Sequence, residues 1–204
     1  MTRPLPPSEL LDSIDHFEPT EELRQWIVDT FIDPDGELAN EDHAHLGQAE
    51  IGVLWTTSEN SRAMRTVIGQ AELMPPMAMG KWQRARAISQ IEDWFGGLPD
   101  FLITFSAPAA ATMGDAQFCA LVEHELYHCA QAKDGYGMPR FRKEDGTPIF
   151  AIRGHDVEEF VGVVARYGAA AAGVSEMVEA ANRRPTVALA DIAGACGTCL
   201  RAAA

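Results

Sequence analysis

Leu23, Trp26, Ile27 and Phe31 recur at three- and four-residue intervals behind Thr20. That spacing predicts a short helix with Thr20 as its N-cap, closed by the turn signal Asp33-Pro34-Asp35-Gly36. The period then changes. "QAEIGVLWTT" (48–57) and "RTVIGQAELM" (65–74) are β-branched and alternating, and read as two strands of a hairpin joined by the polar "SENSRAM". Trp82, Ala85, Ile88, Ile91 and Phe95 restore helical spacing up to Gly96-Gly97, a natural C-cap. "PDFLITFS" (99–106) is short and almost wholly apolar, as a covered central strand is. A helix over 114–135 follows, with Asp115 as candidate N-cap and Phe118, Leu121, Val122 and Leu126 on its apolar side. The Gly- and Pro-rich stretch 136–154 reads as a loop, "HDVEEFVGVVARYG" (155–168) as a helix beginning at His155, and "VSEMVEAANRR" as its extension or successor. With no internal repeat, this order predicts an α+β layer arrangement.

The first 18 residues, rich in Pro and acids, are expected to form a flexible N-terminal arm; residues 19–182 form the domain, and 183–204 an Ala-rich tail. Sixteen basic against thirty acidic residues give a net charge of −14, which argues against nucleic acid and an anionic membrane surface as ligands. The acidic N-terminus lacks the apolar run of a signal peptide, and no window reaches the ~18–20 apolar residues of a membrane span, so a cytoplasmic setting is expected. Four cysteines fit that reduced setting better than a disulfide framework.

The chemistry lies in "LVEHELYHCA" (121–130), where His124, Glu125 and His128 have the order H-E-x-x-H. Residues four apart share a helix face, so both imidazoles can turn to one ion. Glu125 then lies beside that ion, where a carboxylate takes a proton from water instead of ligating. Glu123 and Glu125 on a largely buried helix also call for solvent-facing turns or a bound cation. One zinc per chain is the expected cofactor.

A catalytic zinc needs about three protein ligands and an open position. His155 is the foremost candidate for the third, with Glu158 or Glu159 as alternatives and Asp156 behind them; Glu159 also stands four residues from His155, where it can support that ring as a hydrogen-bond acceptor. The acids after His155 equally suit a helix start in no need of metal.

"HELYHC" followed by "GHDVEEF" resembles the metallopeptidases encoded by phages and prophages and, more distantly, the SprT-like and other minimal zincins. The resemblance spans roughly residues 48–170 in architecture and is motif-level only at 121–130 and 154–160. It implies a zincin-like fold, a small mixed or antiparallel sheet packed on the metal helix and a following helix. It further implies zinc ligands His124, His128 and, by position, His155, with Glu125 as general base in peptide-bond hydrolysis. A peptide or protein is the implied substrate; the alternative is a phage protein that keeps the scaffold but only binds metal or a host protein.

For transition-state stabilisation the candidates are Arg153 and Tyr167, with Tyr127 and Tyr136 beside them. A substrate is expected to lie extended along a sheet edge supplied by 49–55 or 100–106. The loop 132–153 is expected to form an opposite wall or lid; its Arg140, Arg142 and Lys143 are the conspicuous basic cluster of an acidic chain, which a solvated loop explains. Cys196-Gly-Thr-Cys199 has metal-ligand spacing but no second pair after it, and reads as an inert tail. His43 and His45 read as part of a polar connection.

Overall fold

The computed structural model describes residues 2–62, 65–77, 79–157, 160–170, 173–187 and 190. In chain order the elements are α1 (Ser8–Leu11), β1 (Phe17–Pro19), α2 (Glu21–Ile27), β2 (Ile51–Thr56), β3 (Ser61–Arg62), β4 (Arg65–Thr66), β5 (Gly69–Leu73) and α3 (Lys81–Phe95). They continue as β6 (Phe101–Ser106), α4 (Ala107–Thr112), α5 (Asp115–His128), β7 (Cys129–Gln131), β8 (Phe150–Ile152), α6 (Val161–Tyr167) and α7 (Ser175–Ala181). The chain is thus α+β, with a small mixed sheet ordered β1-β2-β6-β5.

The predicted hairpin between β2 and β5 does not form. β6 lies between them, parallel to β2 and antiparallel to β5. The reason is polarity: a strand reading Phe-Leu-Ile-Thr-Phe-Ser gains most where both faces are covered, so β6 takes the centre. The polar connection instead closes on itself as the β3–β4 ribbon. Consequently the expected substrate edges, β2 and β6, are interior strands, and the edges are β1 and β5.

Register lines up three rows on one face of the sheet: Ile51-Phe101-Leu73, Val53-Ile103-Ala71 and Trp55-Phe105-Gly69. The main core fills against these rows, with α2 and α5 supplying Leu23, Trp26, Ile27, Phe118, Leu121, Val122 and Leu126. On the opposite face Leu54, Met74 and Leu102 meet Ile91 of α3. Only the C-terminal turns of α3 pack there, so Trp82, expected on the buried side, is 85% exposed. Gly96 closes α3 at φ 72°, a left-handed C-cap that favours glycine.

Thr20 caps α2 as predicted, its hydroxyl accepting from the Leu23 amide, and α2 runs on into a π-helical turn over Val28–Ile32. Within residues 2–18, expected to be loose, some positions are held against the body. Leu10 is buried, Phe17–Pro19 pairs with β2, and Arg3 is 6% exposed. The polar connection before β2 is a 3-10 helix over Glu41–Gln48, opened by Asn40 as N-cap. Among the described residues no helix is long and apolar enough to cross a membrane.

Candidate metal centre

Phe118 fixes α5 in the core, its ring 5.5 Å from Phe105, 5.8 Å from Trp55 and 6.1 Å from Trp26. Arg3 holds the start of the same helix: its guanidinium lies 4.8 Å over the Phe118 ring and donates to Asp115 and to the carbonyls of Ala110 and Met113. Asp115, predicted as N-cap, is the first helical residue, and Gly114 occupies the cap. The helix stops at His128 rather than running to Gly135, because Cys129–Gln131 enters the ladder with β8.

That early stop brings the third histidine in. β8 returns beside β7, and Arg153 ties the two ends together: its amide donates to the His128 carbonyl (3.0 Å), and its own carbonyl accepts from His128 Nδ1 at 2.6 Å. Two residues later comes His155. It lies after β8 in a stretch without regular secondary structure, not at a helix start as expected, since α6 begins only at Val161.

The Nε2 atoms of His128 and His155 each lie 3.3 Å from His124 Nε2. A tetrahedral ion holding two imidazoles at ~2.0–2.1 Å requires them ~3.3–3.4 Å apart, so these separations fit a bound zinc. The His128 Nδ1–H bond to the Arg153 carbonyl fixes the tautomer and turns the Nε2 lone pair into the cluster. His128 is buried, His124 half-buried and His155 exposed, so the cluster opens to solvent on one side. There it borders a cleft of about 340 Å³ walled also by Tyr127, Arg153, Asp156 and Met177.

Glu125 is not a wall of that cleft. It is 0% exposed and lies against β5, where Gly69 is so close that a Cβ there would stand 2.8 Å from Glu125 Oε1. Burying a carboxylate is costly, and a divalent cation held by the neighbouring histidines would offset that cost. Donor set and buried acid therefore both suit a metal.

Behind the cleft, Tyr127 donates its hydroxyl to Asp42 (3.0 Å) and accepts from Asn40, which also reaches Glu123. Burial raises the Tyr127 phenol above its usual range, with Asp42 adding to the effect. His45 Nε2 lies 2.8 Å from the Cys129 carbonyl, and buried His43 stacks edge-on to Tyr127. Burial pushes His43 down to about 4. Cys129, wholly buried, has its thiol driven well up by desolvation and then by the charge of Glu125.

Of the expected stabilisers, Arg153 lines the cleft, paired with Asp156 and 6.0 Å over Tyr127. Tyr167 sits on α6, 64% exposed and covered by Arg166, and is not a wall of the cleft; Tyr136 is 94% exposed on the loop beyond β7. Glu158, Glu159, Cys196 and Cys199 lie outside the described residues. Sequence reasoning missed Gly69 and Asn40. The signals were an isolated Gly inside a strand pattern, which marks a close approach, and Asn before Glu-Asp, which marks a helix start.

Residues 24–182 match the family described as "Putative phage metallopeptidase", and the chain belongs to that family. No curated protein and no solved structure matches it.

Proposed function

We propose that the chain is a zinc peptidase of zincin type, holding one ion on His124, His128 and His155 and using Glu125 as general base. Membership of a metallopeptidase family makes a metal ion and a peptide or protein substrate the setting. The observation that carries the finer reading is the spacing of the three imidazoles, 3.3 Å from His124 to each partner, beside a buried glutamate. Zinc, when bound, supplies Lewis acidity that acidifies a water and polarises a carbonyl.

The protein's own groups do the remainder. The Arg153 carbonyl orients His128 through Nδ1. Gly69, with no Cβ, leaves the space in which the Glu125 carboxylate lies. Glu125 takes the proton of the attacking water on a carboxylate oxygen and returns it to the departing amine nitrogen. Arg153, on the wall of the cleft, is the donor best placed to meet a developing oxyanion. Tyr127 is engaged by Asp42 and Asn40 and serves as a fixed wall.

Glu125→Gln tests the reading. Protein purified without added zinc should hold about one zinc per chain in both forms. Cleavage of quenched fluorescent peptides should fall by ~10²–10⁴-fold in the variant. Undiminished cleavage would remove Glu125 from the mechanism, and zinc retained by His155→Ala would move the third ligand elsewhere.

A further inference from the structure

The loop between the second and third histidines is not a featureless lid. The β7–β8 ladder ends at Ala132 and Ile149, where the Arg140 backbone bonds to both: its amide donates to the Ala132 carbonyl (2.8 Å) and its carbonyl accepts from Ile149 (3.0 Å). Arg140 is thus a branch point closing two small lobes. In the first, the Asp134 carboxylate accepts from the amides of Tyr136 and Met138; in the second, Asp145 accepts from the amide and hydroxyl of Thr147. Each lobe is held by its own hydrogen bonds, and residues 133–146 are all exposed.

Apolar and cationic groups lie on these lobes in a chain of charge −14. Tyr136, Met138 and Phe141 are 94%, 62% and 51% exposed. Arg140, Arg142 and Lys143 flank Phe141, three of the sixteen basic residues within four positions. Large apolar side chains that the fold neither buries nor needs for its hydrogen bonding mark a contact surface. Their mixture with cations selects the partner's chemistry.

We infer that the two lobes form an exosite that grips an acidic segment bearing aromatic or aliphatic side chains, carried by the protein substrate at a distance from the bond cut. This rests on the peptidase reading above. A polypeptide is favoured over a nucleic acid: Asp134 on one side and Glu144 and Asp145 on the other flank the cations, and the net charge of −14 repels a polyanion at long range. A segment with a few acids meets the local cations and gains apolar contact without that long-range penalty. The loop caps the β7–β8 ladder, whose other end carries His128 and leads to His155, so a segment docked on it is tethered to the element that builds the cluster.

Two measurements separate this inference from the reading beneath it. The first is binding, on the Glu125→Gln protein loaded with zinc, of a short labelled peptide of alternating Glu and Phe, followed by fluorescence anisotropy. R142E/K143E should weaken it by roughly tenfold or more. Tyr136→Ser with Phe141→Ser should weaken it similarly, while metal content stays unchanged. The second compares cleavage of a short peptide with the same peptide extended by that acidic segment. R142E/K143E should raise KM for the extended form alone, roughly tenfold, and leave kcat alone. No binding to the parent protein, equal loss on both substrates, or a single-stranded oligonucleotide bound as tightly and lost in the same variant each overturns the exosite. Absence of cleavage with peptide binding intact overturns the peptidase reading and leaves the docking surface standing.

Discussion

Gly69 of β5 and Glu125 of α5 share one small space: a methyl group at Gly69 would lie 2.8 Å from Glu125 Oε1 and 3.0 Å from Leu121 Cδ1. The third inward row of the sheet, Trp55-Phe105-Gly69, ends in a missing side chain where the carboxylate lies. The sheet therefore positions the acid by steric shape.

Gly69→Ala should accordingly displace the carboxylate while sparing the histidines. Cleavage is expected to fall at least about tenfold with zinc stoichiometry unchanged, at a stability cost of ~1–3 kcal/mol from overpacking. Steady-state kinetics beside metal analysis checks this. Full activity would mean that Glu125 has room to move without consequence.

Metal removal should distinguish His128 from His155. Chelation is expected to lower the melting temperature of the parent protein, since a ligand of the folded state stabilises by mass action. In metal-free protein, His155→Ala should change the melting temperature little because the ring is exposed. His128→Ala should cost ~1–3 kcal/mol, because it empties a buried position and strands the Arg153 carbonyl. Equal metal-free stabilities of the two variants would argue that the His128–Arg153 bond contributes nothing to the fold.

His43 gives a pH dependence of known sign. Its folded value of about 4 stands below the usual 6.5, through burial and then the neighbouring His45, with Asp42 opposing. The folded chain refuses a proton that the unfolded chain accepts, so the stability tied to this ring is whole above pH 6.5. It is lost as pH falls from 6.5 towards 4, by up to about 3 kcal/mol. Denaturant unfolding of the parent and of His43→Leu across that window should show a flatter profile in the variant. Parallel profiles would assign the acid sensitivity to other groups.

Arg3→Ala should loosen the start of α5. It removes donors from the Ala110 and Met113 carbonyls and the cation from the Phe118 ring. A loss of ~1–3 kcal/mol is expected by chemical denaturation, only partly recovered in Arg3→Lys, whose ammonium cannot reach all three acceptors as a planar fork does. Wild-type stability in Arg3→Ala would show that the contact is incidental.

The local features were legible because they are written in local periodicity. Thr20 before Leu23 and Trp26, Gly96 after Phe95, and the three- and four-residue spacing around His124 each depend on neighbours a turn away. Strand order was not legible, since the position of β6 between β2 and β5 is decided by competition for two covered faces. The site divided the same way. His124, Glu125 and His128 announce themselves by spacing, whereas His155 meets them through the β7–β8 ladder, and the sequence pattern had placed it on a helix. The contacts of Arg3 and Asn40 were not legible because a Pro-rich, acidic or polar stretch reads as unattached until its partner, here Asp115 or Glu123, is known.

The parallel pairing of β2 with β6 sets an order of events in time. β2 can pair at once with β1, but it meets its parallel neighbour β6 only after everything from Thr57 to Asp100 has left the ribosome, and such long-range closure is slow. Until then its buried face, with Val53 and Trp55, has α2 as cover but neither β6 beside it nor α5 over it, which makes the half-made chain a candidate for chaperone capture during synthesis.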